Sequence, residues 1–217
     1  IMAETALLNE TNRDFTIALA GNPNSGKSSL FNALTGGRQK VGNWPGVTVD
    51  IKEGRARHRK LDLKIIDLPG TYSLGGYSED ELIARNFLTD HRPDLVINVV
   101  DASNLERNLY LTLQLLEMGL NVVVALNMFD LASSKYQGFN HRLLANKLGV
   151  PLIPTVASQG RGSNELLDTA VSLASNRALD SRVAFDYIPA LQTGISDLAA
   201  ELHKLEASLY PGLETRW

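Results

Sequence analysis

The string Gly21-Asn22-Pro23-Asn24-Ser25-Gly26-Lys27-Ser28 limits what this chain can fold into more than any other feature. It fits G-x-x-x-x-G-K-S/T and lies between an aliphatic, β-branched run, Thr16 to Ala20, and a helix-like stretch, Ser28 to Leu34. Glycines at this spacing let backbone N–H groups curl around a phosphate, and the start of a helix adds positive potential there. Lys27 is placed to reach the terminal phosphates, and the Ser28 hydroxyl to ligate Mg²⁺. The candidate nucleotide contacts run through Gly21, Asn22, Pro23, Asn24, Ser25, Gly26, Lys27, Ser28 and Ser29.

Short apolar runs alternate with helix-like segments along the rest of the chain. Val49 to Gly54 and Leu61 to Ile66 read as a strand pair. Leu95 to Val100 and Val122 to Leu126 are continuous apolar runs, as strands covered on both faces require. Glu106 to Met118, Asn140 to Leu148 and Glu165 to Ser175 read as helices, and Leu152 to Thr155 as a last strand. This alternation predicts an α/β fold with a doubly wound, mostly parallel, six-stranded sheet. Gly36 to Gly46 is glycine-rich and aperiodic, so it reads as a loop. Beyond Arg177, Ile188, Leu191, Ile195, Leu198, Leu202, Leu205 and Leu209 fall at alternating spacings of three and four. That pattern predicts one long helix with an apolar seam that needs a partner. The expected organisation is a leader at 1–14, a nucleotide-binding domain at 15–177 and the start of a helical domain, truncated, at 178–217.

Three further segments carry chemistry. Asp67-Leu68-Pro69-Gly70 follows the strand ending at Ile66, where a carboxylate can hold a Mg²⁺-bound water and the glycine N–H can meet a γ-phosphate. Asn127-Met128-Phe129-Asp130 follows the strand Val122 to Leu126 and resembles the base-reading N-K-x-D of GTPases. A carboxylate at Asp130 accepts from guanine's ring N–H and exocyclic amine, a donor pattern that adenine lacks. Met128 replaces the usual Lys, and its apolar stem can still cover the base. Val156-Ala157-Ser158-Gln159 reads as the closing loop, with Ala157, Ser158 and Gln159 as candidate base contacts.

Composition narrows the remaining classes. The 217 residues include no Cys, which excludes disulfides and thiolate chemistry. Lys and Arg number 21 against 24 Asp and Glu, so no basic footprint for nucleic acid exists. No apolar run approaches the length of a membrane span. The chain as given reads as soluble. The start lacks the features of a signal peptide, and Ile1 ahead of Met2 reads as an expression remnant.

With these motifs in order, the chain resembles the Era-like branch of the Ras-type P-loop GTPases. The strings Arg38 to Thr48 (with Gly42-Asn43-Trp44-Pro45-Gly46-Val47-Thr48), Asp67 to Leu74 and Asn98 to Asn108 resemble the amino-terminal cytosolic GTPase domain of the bacterial ferrous iron transporter family FeoB. The resemblance implies binding of GTP and GDP with Mg²⁺, held by Ser28, Thr48 and Asp67. It implies that Thr48 is the first-switch threonine and that Gly70 to about Asp80 is the second switch. It places the chain at the cytoplasmic face of the inner membrane, attached to an iron-transporting membrane domain. The position after D-x-x-G, where Ras-like enzymes carry a water-positioning Gln, is Thr71. Slow intrinsic hydrolysis is therefore expected. Relatives with Asn at the position of Asn24 bind K⁺, which implies K⁺-stimulated hydrolysis. The candidate catalytic set is thus Asn24, Lys27, Thr48, Gly70 and Thr71.

Other features have ordinary readings. Ser78-Glu79-Asp80-Glu81 reads as a helix-capping box rather than a ferrous-ion site. His58, His91, His141 and His203 share no ligand spacing. Trp44 reads as part of the first switch. Arg55 to Lys60 reads as a solvated hairpin turn. An Era-type role in RNA or ribosome assembly is the rival function, and it would call for a basic module where the heptad helix stands. Homo-oligomerisation through that helix is a further possibility.

Overall fold

The computed structural model describes residues 15–42, 51–59, 61–136, 138–175 and 187–209. All six expected strands are present: β1 (Phe15–Gly21), β3 (Ile51–His58), β4 (Leu61–Asp67), β5 (Leu95–Asp101), β6 (Val122–Asn127) and β7 (Leu152–Pro154). A seventh, β2 (Gln39–Gly42), lies where a loop was expected. It pairs antiparallel with β3, Gln39 opposite Gly54 and Gly42 opposite Ile51. An edge strand needs only backbone partners on one side, so its side chains need no alternation.

The sheet runs β2-β3-β4-β1-β5-β6-β7. The pairs β3–β4 and β2–β3 are antiparallel, and the rest are parallel. β1 is central: Ile17 lies opposite Ile65 of β4 on one side and Leu95 of β5 on the other. Strand order reverses at β1, and ligands bind at such a switch point, beyond the carboxyl ends of the strands.

Helices cover both faces. α1 (Lys27–Thr35) and α6 (Ser163–Ser175) bury Leu30, Phe31, Leu34, Leu166, Leu167 and Ala170 against Ile17, Leu19, Ile65 and Ile97. Asn98 alternates to the opposite face. There its amide donates to Thr112 of α3 (Leu105–Glu117) at 2.6 Å. α2 (Glu79–His91) opens at the expected capping box, with Ser78 as its cap, and α5 (His141–Leu148) falls near its expected position, capped by Asn140, whose side chain accepts from the Leu143 N–H. A helix absent from the sequence reading, α4 (Phe129–Lys135), follows β6. Gly54 lets α1 approach β3, because a Cβ there would lie 2.4 Å from Thr35 Cγ2.

The chain divides into two compact units, Ile1–Val183 and Ala184–Trp217. Within the second, α7 (Pro189–Leu209) is a single helix, and Ile188, Leu191, Ile195 and Leu198 are exposed. Among the described residues, no helix is long and apolar enough to cross a membrane.

Candidate functional site

β1 ends at Gly21, and after five intervening residues α1 begins at Lys27. The turn between them depends on two left-handed residues, Asn24 with φ 64° and Gly26 with φ 87°. Gly26 has a second constraint. A Cβ on it would stand 2.1 Å from Asn127 Nδ2. The loop is therefore closed over the end of β6, and only glycine fits there.

Asn127 explains the closeness. Its Nδ2 donates to the Ser25 carbonyl at 2.9 Å. Its Oδ1 accepts from the Ala157 N–H at 2.9 Å and from the Thr155 hydroxyl at 3.4 Å. One buried carboxamide thus ties the phosphate loop, the end of β6 and the closing loop into one unit. Met128 follows in a left-handed conformation, φ 55°, which turns the chain into α4. Its terminal methyl lies 3.7 Å from the ideal Cβ position on Gly26. Asp130 stands exposed in the first turn of α4.

Ala157, Ser158 and Gln159 form a short 3-10 helix. The Ala157 amide is committed to Asn127, and the Gln159 amide donates to the Val156 carbonyl at 2.9 Å. That leaves the Ser158 N–H as the amide of the three outside these bonds.

On the phosphate side, the Lys27 ammonium and the Asp67 carboxylate form a buried ion pair, 9% and 7% exposed. Asp67 ends β4 beside β1, in register with Leu19. Gly70 lies against Pro23, and the Thr71 N–H donates to the Gly21 carbonyl at 3.1 Å. Thr71 is 5% exposed, and its hydroxyl is engaged with the backbone of Ser73. Ser28 and Ser29 are exposed in the first turn of α1. Thr48 and Trp44 lie outside the described residues.

The cap of α2 has a wider reach than a capping box. The Glu81 N–H donates to the Ser78 hydroxyl at 3.2 Å. The Glu81 carboxylate accepts from the Ser73 hydroxyl at 2.8 Å and from the amides of Gly76 and Tyr77 at 3.1 and 3.0 Å. The Ser73 hydroxyl, then the Tyr77 amide, hold its pKa below the ordinary 4.5. His58 pairs with Asp168 of α6, which is held below the usual carboxylate range by that bond first and by Arg59 next. Among the described residues, no cluster of three or more His, Cys, Asp or Glu could hold a metal. A cavity of about 850 Å³ between 101–106 and 135–139 includes no phosphate-loop residue. The motif geometry, not this hollow, marks the site.

A phosphate loop at the switch point, D-x-x-G ending β4 and N-x-x-D ending β6 define a P-loop GTPase fold. The family described as Ferrous iron transport protein B matches residues 15–170. The chain belongs to this FeoB family.

The "Fe(2+) transport protein A/Fe(2+) transporter FeoB fusion protein" of Porphyromonas gingivalis is 56% identical over 162 residues, 74% of this chain and 19% of that protein. The Fe(2+) transporter FeoB of Escherichia coli is 53% identical over 158 residues, 71% of this chain and 20% of that protein. The chain therefore spans about a fifth of the length of these relatives. Among solved structures, the cytosolic domain of T. maritima FeoB in apo form superposes with a TM-score of 0.82 at 42% identity, over 88% of this chain and 75% of that one. A mutant S. thermophilus NFeoB bound to GDP gives 0.76 at 47%, over 87% and 72%. The FeoB G-domain of Methanococcus jannaschii gives 0.67 at 45%, over 75% and 99%.

Proposed function

We propose that this chain binds GTP, hydrolyses it slowly, and as the cytosolic domain of a membrane transporter regulates or powers ferrous iron uptake at the cytoplasmic face of the cell membrane. The observation that carries the nucleotide reading is the Asn127 carboxamide. It joins the loop that would cradle phosphate to the loop that would close on the base, with Asp130 three residues on. GDP is bound by an S. thermophilus relative 47% identical to this chain, which supports guanine as the base. In this reading the Asp130 carboxylate accepts from guanine's ring N–H and amine, and the Ser158 N–H donates to its carbonyl.

The glycine cradle at Gly26 and the buried Lys27–Asp67 pair fit a magnesium-bound triphosphate. Lys27 would neutralise the terminal phosphates, and Ser28, Thr48 and Asp67 would hold Mg²⁺ directly or through water. The ion supplies charge neutralisation on the phosphates. Gly70 would present its N–H to the γ-phosphate. Asn24, exposed in the loop, would hold K⁺ against the phosphates, and Thr71 offers no side-chain amide to orient water.

Two measurements test this. Asp130→Asn should weaken GTP binding at least about a hundredfold, since the site's hydrogen-bond pattern no longer matches guanine, and should gain xanthosine triphosphate. Unchanged GTP affinity rejects Asp130 as the base reader. Hydrolysis by the wild type should be faster in K⁺ than in Na⁺, and Asn24→Ala should abolish the difference. Equal rates in both salts for both proteins reject the K⁺ site.

A further inference from the structure

The second switch starts at Gly70, and Tyr72 is its first large side chain. The Arg107 guanidinium carbon lies 3.8 Å from the centre of the Tyr72 ring, a cation–π distance. The backbone carbonyl of the same residue accepts from Asn22 Nδ2 of the phosphate loop at 3.3 Å. Two turns further along α3, Gln114 Oε1 accepts the Leu74 N–H at 2.9 Å. α3 thus grips the phosphate loop at Asn22 and the switch at Tyr72 and Leu74. Asn22 Oδ1 is buried without a hydrogen-bond partner, so the Asn22 carboxamide rests on its single bond to Arg107. Between these grips lie the two positions that matter to a γ-phosphate: Gly70 against Pro23, and Thr71 bonded to Gly21.

We propose that Arg107 is a positioning residue for GTP hydrolysis: through Tyr72 it fixes Gly70 and Thr71 against the phosphate loop. This rests on the GTPase reading above. Thr71 carries no side-chain amide to hold a water, so alignment of this backbone falls to its neighbours. Misplacing reacting groups by about 1 Å costs on the order of a hundredfold in rate. Tyr72 is 39% exposed and Arg107 is exposed, so the stack can open when the switch moves. A buried pair could not.

Arg107→Ala removes the guanidinium and leaves the carbonyl that holds Asn22. The assay is single-turnover GTP hydrolysis by the Ile1–Trp217 chain, with equilibrium binding of a fluorescent GDP analogue. Arg107→Ala should hydrolyse up to about fivefold more slowly, with GDP affinity within about twofold of wild type, since an exposed cation–π contact is modest and far from the base. Arg107→Lys should recover part of the rate by keeping a cation over the ring. The double variant Arg107→Ala, Tyr72→Ala should be no slower than Tyr72→Ala alone. Amide exchange should quicken over 71–76 in Arg107→Ala and stay slow in α3.

An undiminished rate in Arg107→Ala overturns the proposal. So do multiplying effects in the double variant, or a fall in GDP affinity as large as the fall in rate. A wild type that binds GTP and does not hydrolyse it overturns the enzyme reading along with this one. Wild-type hydrolysis with an unaffected Arg107→Ala overturns this one alone.

Discussion

In the proposed reading, the base side and the switch side of this site are each held by one carboxyl-derived side chain, and the two side chains differ in burial. Asn127 is 3% exposed and makes three bonds, to the phosphate loop and to the segment that follows β7. Glu81 makes as many bonds to the loop 73–77, which the proposed function reads as the second switch, at the molecular surface. A buried group that loses its partner has no water to replace it, whereas a surface group does. The first arrangement therefore fixes geometry, and the second sets a preference that can be reversed. That division suits a nucleotide switch, where the base must stay while the segment near the γ-phosphate moves.

The sharpest way to break the rigid half is Gly26→Ala. The added Cβ meets Asn127 Nδ2 at 2.1 Å, on a residue whose φ of 87° already disfavours side chains. Nucleotide binding should fall by more than about a hundredfold, as strain of a few kcal/mol at the cradle would demand. Retained GDP affinity in a calorimetric titration would show that the loop can open there at little cost. Asn127→Ala is the next largest. It strips partners from the Ser25 carbonyl and the Ala157 N–H, both inside the fold, and should cost roughly 2–5 kcal/mol in stability. Urea denaturation measures this, and a loss below about 1 kcal/mol would mean that water satisfies both groups.

How much of this could be read beforehand follows the same division. β5 and β6 are continuous apolar runs because both faces are buried, so their ends, and with them Asn127 and Asp130, were legible. The glycine loop was legible because its spacing is set by phosphate geometry. α4 was not, since Ala132 is its only buried residue and no period shows. β2 was missed for a related reason, its pairing being a matter of backbone. Glu81 was read as half of a local cap with Ser78, and its longer reach to Ser73 depends on how the loop folds back. The Arg107–Tyr72 stack joins residues on different elements and leaves no pattern in sequence at all.

The smallest effect, and the one that separates the two halves most finely, belongs to Glu81→Gln. A neutral amide keeps the shape, weakens the acceptor and offers N–H groups where the loop also presents N–H groups. Global stability should hardly move, because the group is only half-buried at the surface and water competes for it. Protection of the Gly76 and Tyr77 amides against hydrogen exchange should fall. The pH dependence gives an independent check. The folded-state pKa of Glu81 is lowered, so its bonds contribute fully above the ordinary value of 4.5 and are lost as pH falls below that value through the lowered one. Protection factors at Gly76 and Tyr77 should therefore drop in that window in the wild type and stay flat in Glu81→Gln. The Asn127 bonds carry no titrating group, so the Ala157 amide should keep its protection across the same range in both proteins. A parallel loss at Ala157 would mean that the two halves open together, and the contrast between a fixed base site and a releasable switch would fail.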